Sequence, residues 1–149
     1  MPNEQALPQC NFEKENLILQ FESTIPADVK EISPVAEGVM AIVKQMGCAE
    51  GREFEVETAL REALANAIIH GANGDPRKRV QFCVSCDESR GMLIVVRDPG
   101  PGFDPASVPT PVIGQELFST HGRGIYLINQ LVDEVRFEKG GTEIHMLVR

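Results

Sequence analysis

Glu62 and Asn66 stand four residues apart in a run of strong helix formers, so both face one side of a helix, one turn apart. His70 continues the same line, and Ala59, Ala63 and Ala67 beside it are small enough to let a ligand approach. An amide and a carboxylate at this spacing suit one chemistry well. The Asn oxygen can ligand Mg²⁺, a hard cation that takes oxygen donors. The carboxylate one turn away can accept a proton from a hydroxyl or a water. Spacing alone favours a plainer reading, a solvated polar stripe. A second cluster, Asp98-Pro99-Gly100-Pro101-Gly102, follows an apolar run. An Asp at a strand end can accept a hydrogen bond from an exocyclic amine such as that of adenine, and Gly100 and Gly102 permit positive φ or close backbone approach. A third, Thr120-His121-Gly122-Arg123-Gly124, leads into a helix expected to begin with Ile125-Tyr126-Leu127. Free N–H groups at a helix start attract anions, and Arg123 adds a charged donor for phosphate. His121 is expected to be exposed. Neither a complete Rossmann fingerprint nor a Walker A sequence is present.

These residues need elements to hold them. Residues 1–14 are polar and unpatterned, which predicts a flexible tail ahead of a single domain over 15–149. Asn16 to Ser23 alternates as a strand. Pro26 and Asp28 open a helix to about Met46, with Val35, Val39, Ile42, Val43 and Met46 as its apolar stripe, a core face or part of a dimer interface. The helix from Glu53 to about His70 carries Val56, Leu60, Ala63, Leu64, Ala67 and Ile68 inward. Val80–Cys86 and Met92–Val96 read as strands around a turn at Asp87–Gly91, the second apolar throughout and so central in a sheet. A Pro- and Gly-rich segment from Asp98 to His121 is too long for an ordinary connection. A short helix from Gly124 to Leu131 and strands Val135–Glu138 and Thr142–Val148 complete the order. The expected fold is an α/β (α+β) two-layer sandwich, a mixed, largely antiparallel sheet covered on one face by about three helices.

Composition narrows the classes. Of 149 residues, 14 are basic and 22 acidic, a net charge of −8, which argues against non-specific binding to nucleic acid or an anionic membrane. No run approaches the roughly 20 apolar residues of a membrane helix, and no secretory signal is visible at the N-terminus. Cys10, Cys48, Cys83 and Cys86 therefore read as reduced thiols of a cytoplasmic protein. Cys83 and Cys86 lie three apart on a strand and face opposite sides of it, which speaks against a zinc or redox pair. His70, His121 and His145 share no metal-ligand spacing.

Together and in this order, the clusters resemble the GHKL ATPase superfamily and its Bergerat nucleotide fold. Glu62-x-x-x-Asn66 is similar to its N box, Asp98-x-Gly100-x-Gly102 to its G1 box and Gly122-x-Gly124 to its G2 box, with Gly141-Thr142 similar to its last nucleotide-contact element. Within the superfamily, Glu62 to Gly71, Arg97 to Pro105 and Gly122 to Ile125 resemble the anti-sigma factor/serine kinase group. The likeness runs from about Leu17 to the C-terminus. It implies that Asp98, assisted by Thr142, reads the adenine amine. Gly100 and Gly102 would line the adenine pocket and the hinge of an ATP lid over about 103–121. Asn66 would coordinate Mg²⁺, the N–H groups around Gly122, Arg123 and Gly124 would hold phosphate, and Glu62 would be the general base. Pro105, Pro109 and Pro111 make that lid stiffer than a glycine-rich one.

The resemblance implies an Mg·ATP-dependent serine/threonine kinase that phosphorylates an anti-anti-sigma protein and sequesters a sigma factor, with a homodimer as its assembly and no direct contact with nucleic acid or membrane. Two other readings stand beside it: a nucleotide-dependent binding switch that transfers no phosphate, and the catalytic half of a split histidine kinase. The last is disfavoured because the chain has no room for a dimerising phosphoacceptor helix pair.

Overall fold

The computed structural model describes residues 17–101 and 120–149, without the side chains of 120–123. The expected tail and all but the end of the expected lid lie outside the described residues. The elements are strand β1 (Leu17–Pro26), helix α1 (Ile32–Gln45), helix α2 (Glu53–Asn66), strands β2 (Arg79–Asp87) and β3 (Gly91–Arg97), helix α3 (Thr120–Leu131), and strands β4 (Glu134–Glu138) and β5 (Glu143–Val148). The strands form one sheet in the order β1-β2-β3-β5-β4. Every described pairing is antiparallel. The wholly apolar β3 is the middle strand, buried on both faces from Met92 to Val96. This is the α+β sandwich expected from the sequence.

Local chemistry sets the boundaries. The Asp28 carboxylate accepts from the Lys30 N–H at 2.9 Å and caps a short 3₁₀ turn (Val29–Glu31) ahead of α1. At the other end Gly47, at φ 73°, lets the chain turn back, and the Cys48 N–H reaches the Val43 carbonyl at 2.9 Å. The β2–β3 hairpin closes where Asp87 accepts from the Ser89 and Arg90 N–H groups, both at 2.9 Å. Gly91 is required there, since its φ is 94° and a Cβ would strike the Val148 carbonyl oxygen.

The main core joins helices and sheet. Val56, Leu60, Leu64 and Ile68 of the second helical segment meet Val80, Val84, Ile94 and Met146, all fully buried. The α2 stripe is the one read from the sequence. The α1 stripe is rotated: Ala36, Val39, Met40 and Val43 are buried, while Ile42 and Met46 are 40% and 44% exposed. Apolar spacing alone fitted two adjacent faces, and the short Ala36 side chain allows the closer approach.

The cysteines correct the sequence reading. Cys48 and Cys86 form a disulfide across Cα atoms 6.3 Å apart, tying the α1–α2 turn to β2, and Cys83 is also disulfide-bonded. No described cysteine is a free thiol. The expectation that Cys83 and Cys86 face opposite sides of their strand holds, because Cys86 packs in the helix-side core and Cys83 in a separate cluster beyond the sheet.

Candidate nucleotide site

An open pocket of about 580 Å³ lies between the end of α2, the ends of β3 and β5, and the start of α3. Asp98 follows directly from β3, and its N–H donates to the Thr142 carbonyl at 2.9 Å just before β5, so the sheet carries both residues to the pocket wall. Burial pushes the Asp98 carboxyl up to about 6, and the Gly100 N–H it accepts at 2.8 Å offsets only part of that. A carboxylate held out of water with so few partners is one that a ligand donor would satisfy.

The floor on the other side comes from an irregular stretch. The second helix does not stay α-helical to His70. After Asn66 it widens into a π turn over Ala67–Gly71, closed by the Ala72 N–H donating to the Ala67 carbonyl at 2.9 Å. Such turns recur at functional sites because they redirect backbone and side chains locally. Here the π turn presses Gly71 against Asp98 so closely that a Cβ would overlap the carboxylate. Gly100 in turn abuts the Gly71 carbonyl, and a Cβ there would overlap it. Gly100 is thus needed for close approach, and it is not among the positive-φ residues of the chain.

Asn66, Ala63, Ala67 and His70 line the pocket from the helix side. Ala59, expected beside the ligand, is instead fully buried in the core. Glu62 is outside the lining and stands one turn behind Asn66. Helix α3 begins at Thr120, four residues before the start expected from the glycines. The N–H groups lacking helical partners therefore belong to the first turn, which includes Gly122 and Arg123, whereas Gly124 falls within the helix. Gly124 has another use: a Cβ on it would lie 3.1 Å from Glu62 Oε2 and 3.5 Å from the Asn66 amide. Its bareness lets α3 close directly on the Glu62/Asn66 pair.

The structure thus brings Asn66, Asp98 and Thr142 to one pocket and puts Glu62 and Gly124 together at its edge. Gly102 lies outside the described residues, and of Gly122 and Arg123 only the helical backbone is described. Sequence reasoning missed the apolar walls, Val96, Ile125, Phe137 and Ile144. Val96 and Ile144 were legible as alternate positions on strands, but nothing marked them as facing a ligand. It also missed a buried ion network just behind the site. Arg97 Nε donates to Glu143 Oε2 at 2.6 Å, and His145 Nε2 lies 3.0 Å from Glu143 Oε1. Burial raises the Glu143 carboxyl, but hydrogen bonds from His145 and Arg97 more than offset it, leaving it below its ordinary value. This pair is directly cross-strand and flanks Asp98 and Thr142 in sequence, so it fixes the register of β3 and β5 at the pocket.

Among the described residues, no helix is long and apolar enough to cross a membrane, and no group of three or more His, Cys, Asp or Glu converges on a metal site. Residues 25–148 match the family described as histidine kinase-like ATPase domain. An anti-sigma F factor of Bacillus cytotoxicus is 32% identical over 114 residues, covering 72% of this chain and 77% of the relative. One from Geobacillus stearothermophilus is 32% identical over 115 residues, with the same coverage. With the pocket, the helix pair and the antiparallel sheet in place, the chain belongs to the histidine kinase-like (GHKL) ATPase family, in its anti-sigma factor group.

Proposed function

We propose that the chain is an anti-sigma factor that binds Mg·ATP and transfers the γ-phosphoryl group to a serine or threonine of an anti-anti-sigma partner. The observation that carries this reading is the closure of Gly124 onto Glu62 and Asn66 at the edge of a pocket whose far wall is Asp98 and Thr142. Adenine would enter between Val96, Ile125 and Ile144, with its amine donating to the Asp98 carboxylate. Phosphates would lie toward the first turn of α3, where free N–H groups, the helix dipole and Arg123 favour negative charge. The Asn66 amide oxygen fits Mg²⁺ as one hard donor, with phosphate and water completing the shell, as is usual for this ion. When bound, Mg²⁺ would neutralise phosphate charge. Glu62 would take the proton from the incoming hydroxyl. Carboxylates are weak bases as a class, so positioning and charge neutralisation must supply most of the rate.

The names of the relatives support a sigma factor as the sequestered partner. One surface would serve two competing partners, with nucleotide state biasing the choice. A chain acting on a sigma factor would work in the cytoplasm, as a homodimer in this reading.

Glu62→Gln tests the chemistry. Transfer from γ-labelled ATP to the partner should fall by at least about a hundredfold, the scale of a lost general base, while the calorimetric affinity for ATP stays within about twofold. Undiminished transfer would remove Glu62 from the role of base. Nucleotide-dependent partner binding without transfer in the unaltered chain would favour the binding switch instead.

A further inference from the structure

The pocket takes every second residue from two strand ends. Val96 and Asp98 reach it along β3, and Thr142 and Ile144 along β5. Arg97 and Glu143 lie between them in sequence and stand directly opposite each other in the ladder, so their side chains leave the sheet on the face away from the pocket. There they form a network across three strands. Arg97 Nε and Nη2 both donate to Glu143 Oε2, and Nη1 donates to Gln81 Oε1 of β2 at 3.4 Å. His145 Nε2 lies 3.0 Å from Glu143 Oε1, and Lys139 Nζ lies 3.9 Å from Oε2. The side chains of Arg97, Glu143 and His145 are only 14%, 5% and 7% exposed, so charge is held here largely out of water.

A buried ion pair is poor evidence of stability, because desolvation offsets most of its attraction. What this one supplies is register. β3 is apolar and buried on both faces from Met92 to Val96, so sliding it by one residue would still present apolar groups to both sides. Its hydrophobic pattern therefore does not choose between registers, whereas Arg97 set between Gln81 and Glu143 fits one only. The choice matters at the next residue. A slip of one step moves the chain by about 3.3 Å and turns Asp98 to the other face. Beyond Arg97, one ladder bond among the described residues holds the strand end, from the Asp98 N–H to the Thr142 carbonyl at 2.9 Å. Thr142 has its own anchor, since its hydroxyl donates to the Lys139 carbonyl at 2.8 Å. Asp98 has Arg97. We infer that Arg97 and Glu143 are positioning residues for base recognition: from the far face of the sheet they hold Asp98 in place, and so set how well the pocket tells a purine with a 6-amino group from one without it. This role depends on the proposed use of Asp98 as the adenine contact.

The test compares ATP with purine riboside triphosphate, which lacks the amine, by calorimetry on the full chain and on Arg97→Met. The unaltered chain should prefer ATP by at least about tenfold, the scale of a buried polar group left without its partner. In Arg97→Met that preference should shrink at least about fivefold through weaker ATP binding, while affinity for the amine-free analogue stays within about twofold. Arg97→Lys keeps a cation opposite Glu143 and should return the preference to within about twofold of its unaltered value. Arg97→Met/Glu143→Leu removes both charges and carries the same expectation as Arg97→Met if the single variant does not fold. Amide exchange, read by NMR without nucleotide, should quicken at least about tenfold at Asp98 in Arg97→Met, with Ile94 and Val95 unchanged. Equal weakening of both nucleotides, with the preference intact, would reduce the network to scaffold and overturn its positioning role. So would unchanged exchange at Asp98. An unaltered chain that binds both nucleotides alike takes Asp98 out of adenine recognition and this role with it, whereas a failure confined to the variants leaves the ATP reading standing.

Discussion

Asp98 shows how one side chain carries both a functional and a stability argument. Its carboxyl titrates near 6 in the folded chain against 3.8 ordinarily, chiefly because it is buried. The folded state therefore holds the proton more tightly than the unfolded one between these values. Stability is lost as pH rises through that window. Asp98→Asn removes the buried charge and should stabilise the nucleotide-free chain at pH 8 by about 1–2 kcal/mol, discounted for the part of the side chain still in water. The same variant should lose measurable ATP affinity. Thermal unfolding at pH 5 and pH 8, with calorimetry alongside, reads both effects. A variant that binds ATP normally would take Asp98 out of adenine recognition, and an unchanged pH profile would refute the burial argument.

At the scale of elements, the site depends on how closely α3 approaches α2. Gly124→Ala improves helix propensity by about 1 kcal/mol but adds a Cβ 3.1 Å from Glu62 Oε2. The carboxylate is the flexible party and moves first. The melting temperature should hold or rise, while phosphoryl transfer, if Glu62 is the base proposed above, falls at least about tenfold, because displacing a reacting group by a fraction of an ångström is costly. A variant that loses stability and transfer in parallel would mean that the helices, not Glu62, had given way. The sequence showed that a glycine stood here but suggested a different use for it. Gly-x-Gly reads as a helix entrance, and only the start of α3 at Thr120 shows that Gly124 lies at a helix crossing.

Across the whole molecule, the Cys48–Cys86 bond closes a loop of sequence separation 38 and ties the helical layer to the sheet. The chain-entropy model assigns such a loop about 4 kcal/mol. The Cys48→Ala/Cys86→Ala double variant leaves Cys83 untouched and should lower the urea midpoint accordingly, with a larger m-value because the unfolded chain without the crosslink exposes more surface. A midpoint equal to that of the unaltered chain would show that the loop is already ordered without the bond. Disulfides are uncommon in reducing compartments and, where they occur there, tend to be redox-responsive. The midpoint with and without dithiothreitol is thus also a measure of how far the fold responds to redox conditions.

Periodicity and turn residues were enough to read the order of elements, the inward face of α2 and the central place of β3. Polar spacing offered Asn66 and Asp98 as candidates and the family resemblance added Thr142, and all three line one pocket. Tertiary structure alone decided the rest. The π turn at Ala67–Gly71 sets Gly71 against Asp98, a contact between residues 27 apart that no local signal marks. The rotation of α1 follows from how near Ala36 lets it come to the core. The pairing of Cys48 with Cys86, where the sequence suggested free thiols, depends on the α1–α2 turn docking beside β2. Local sequence fixes which way a side chain points along its own element. It does not fix the distance to another element, because that distance is the sum of packing choices made across the entire core.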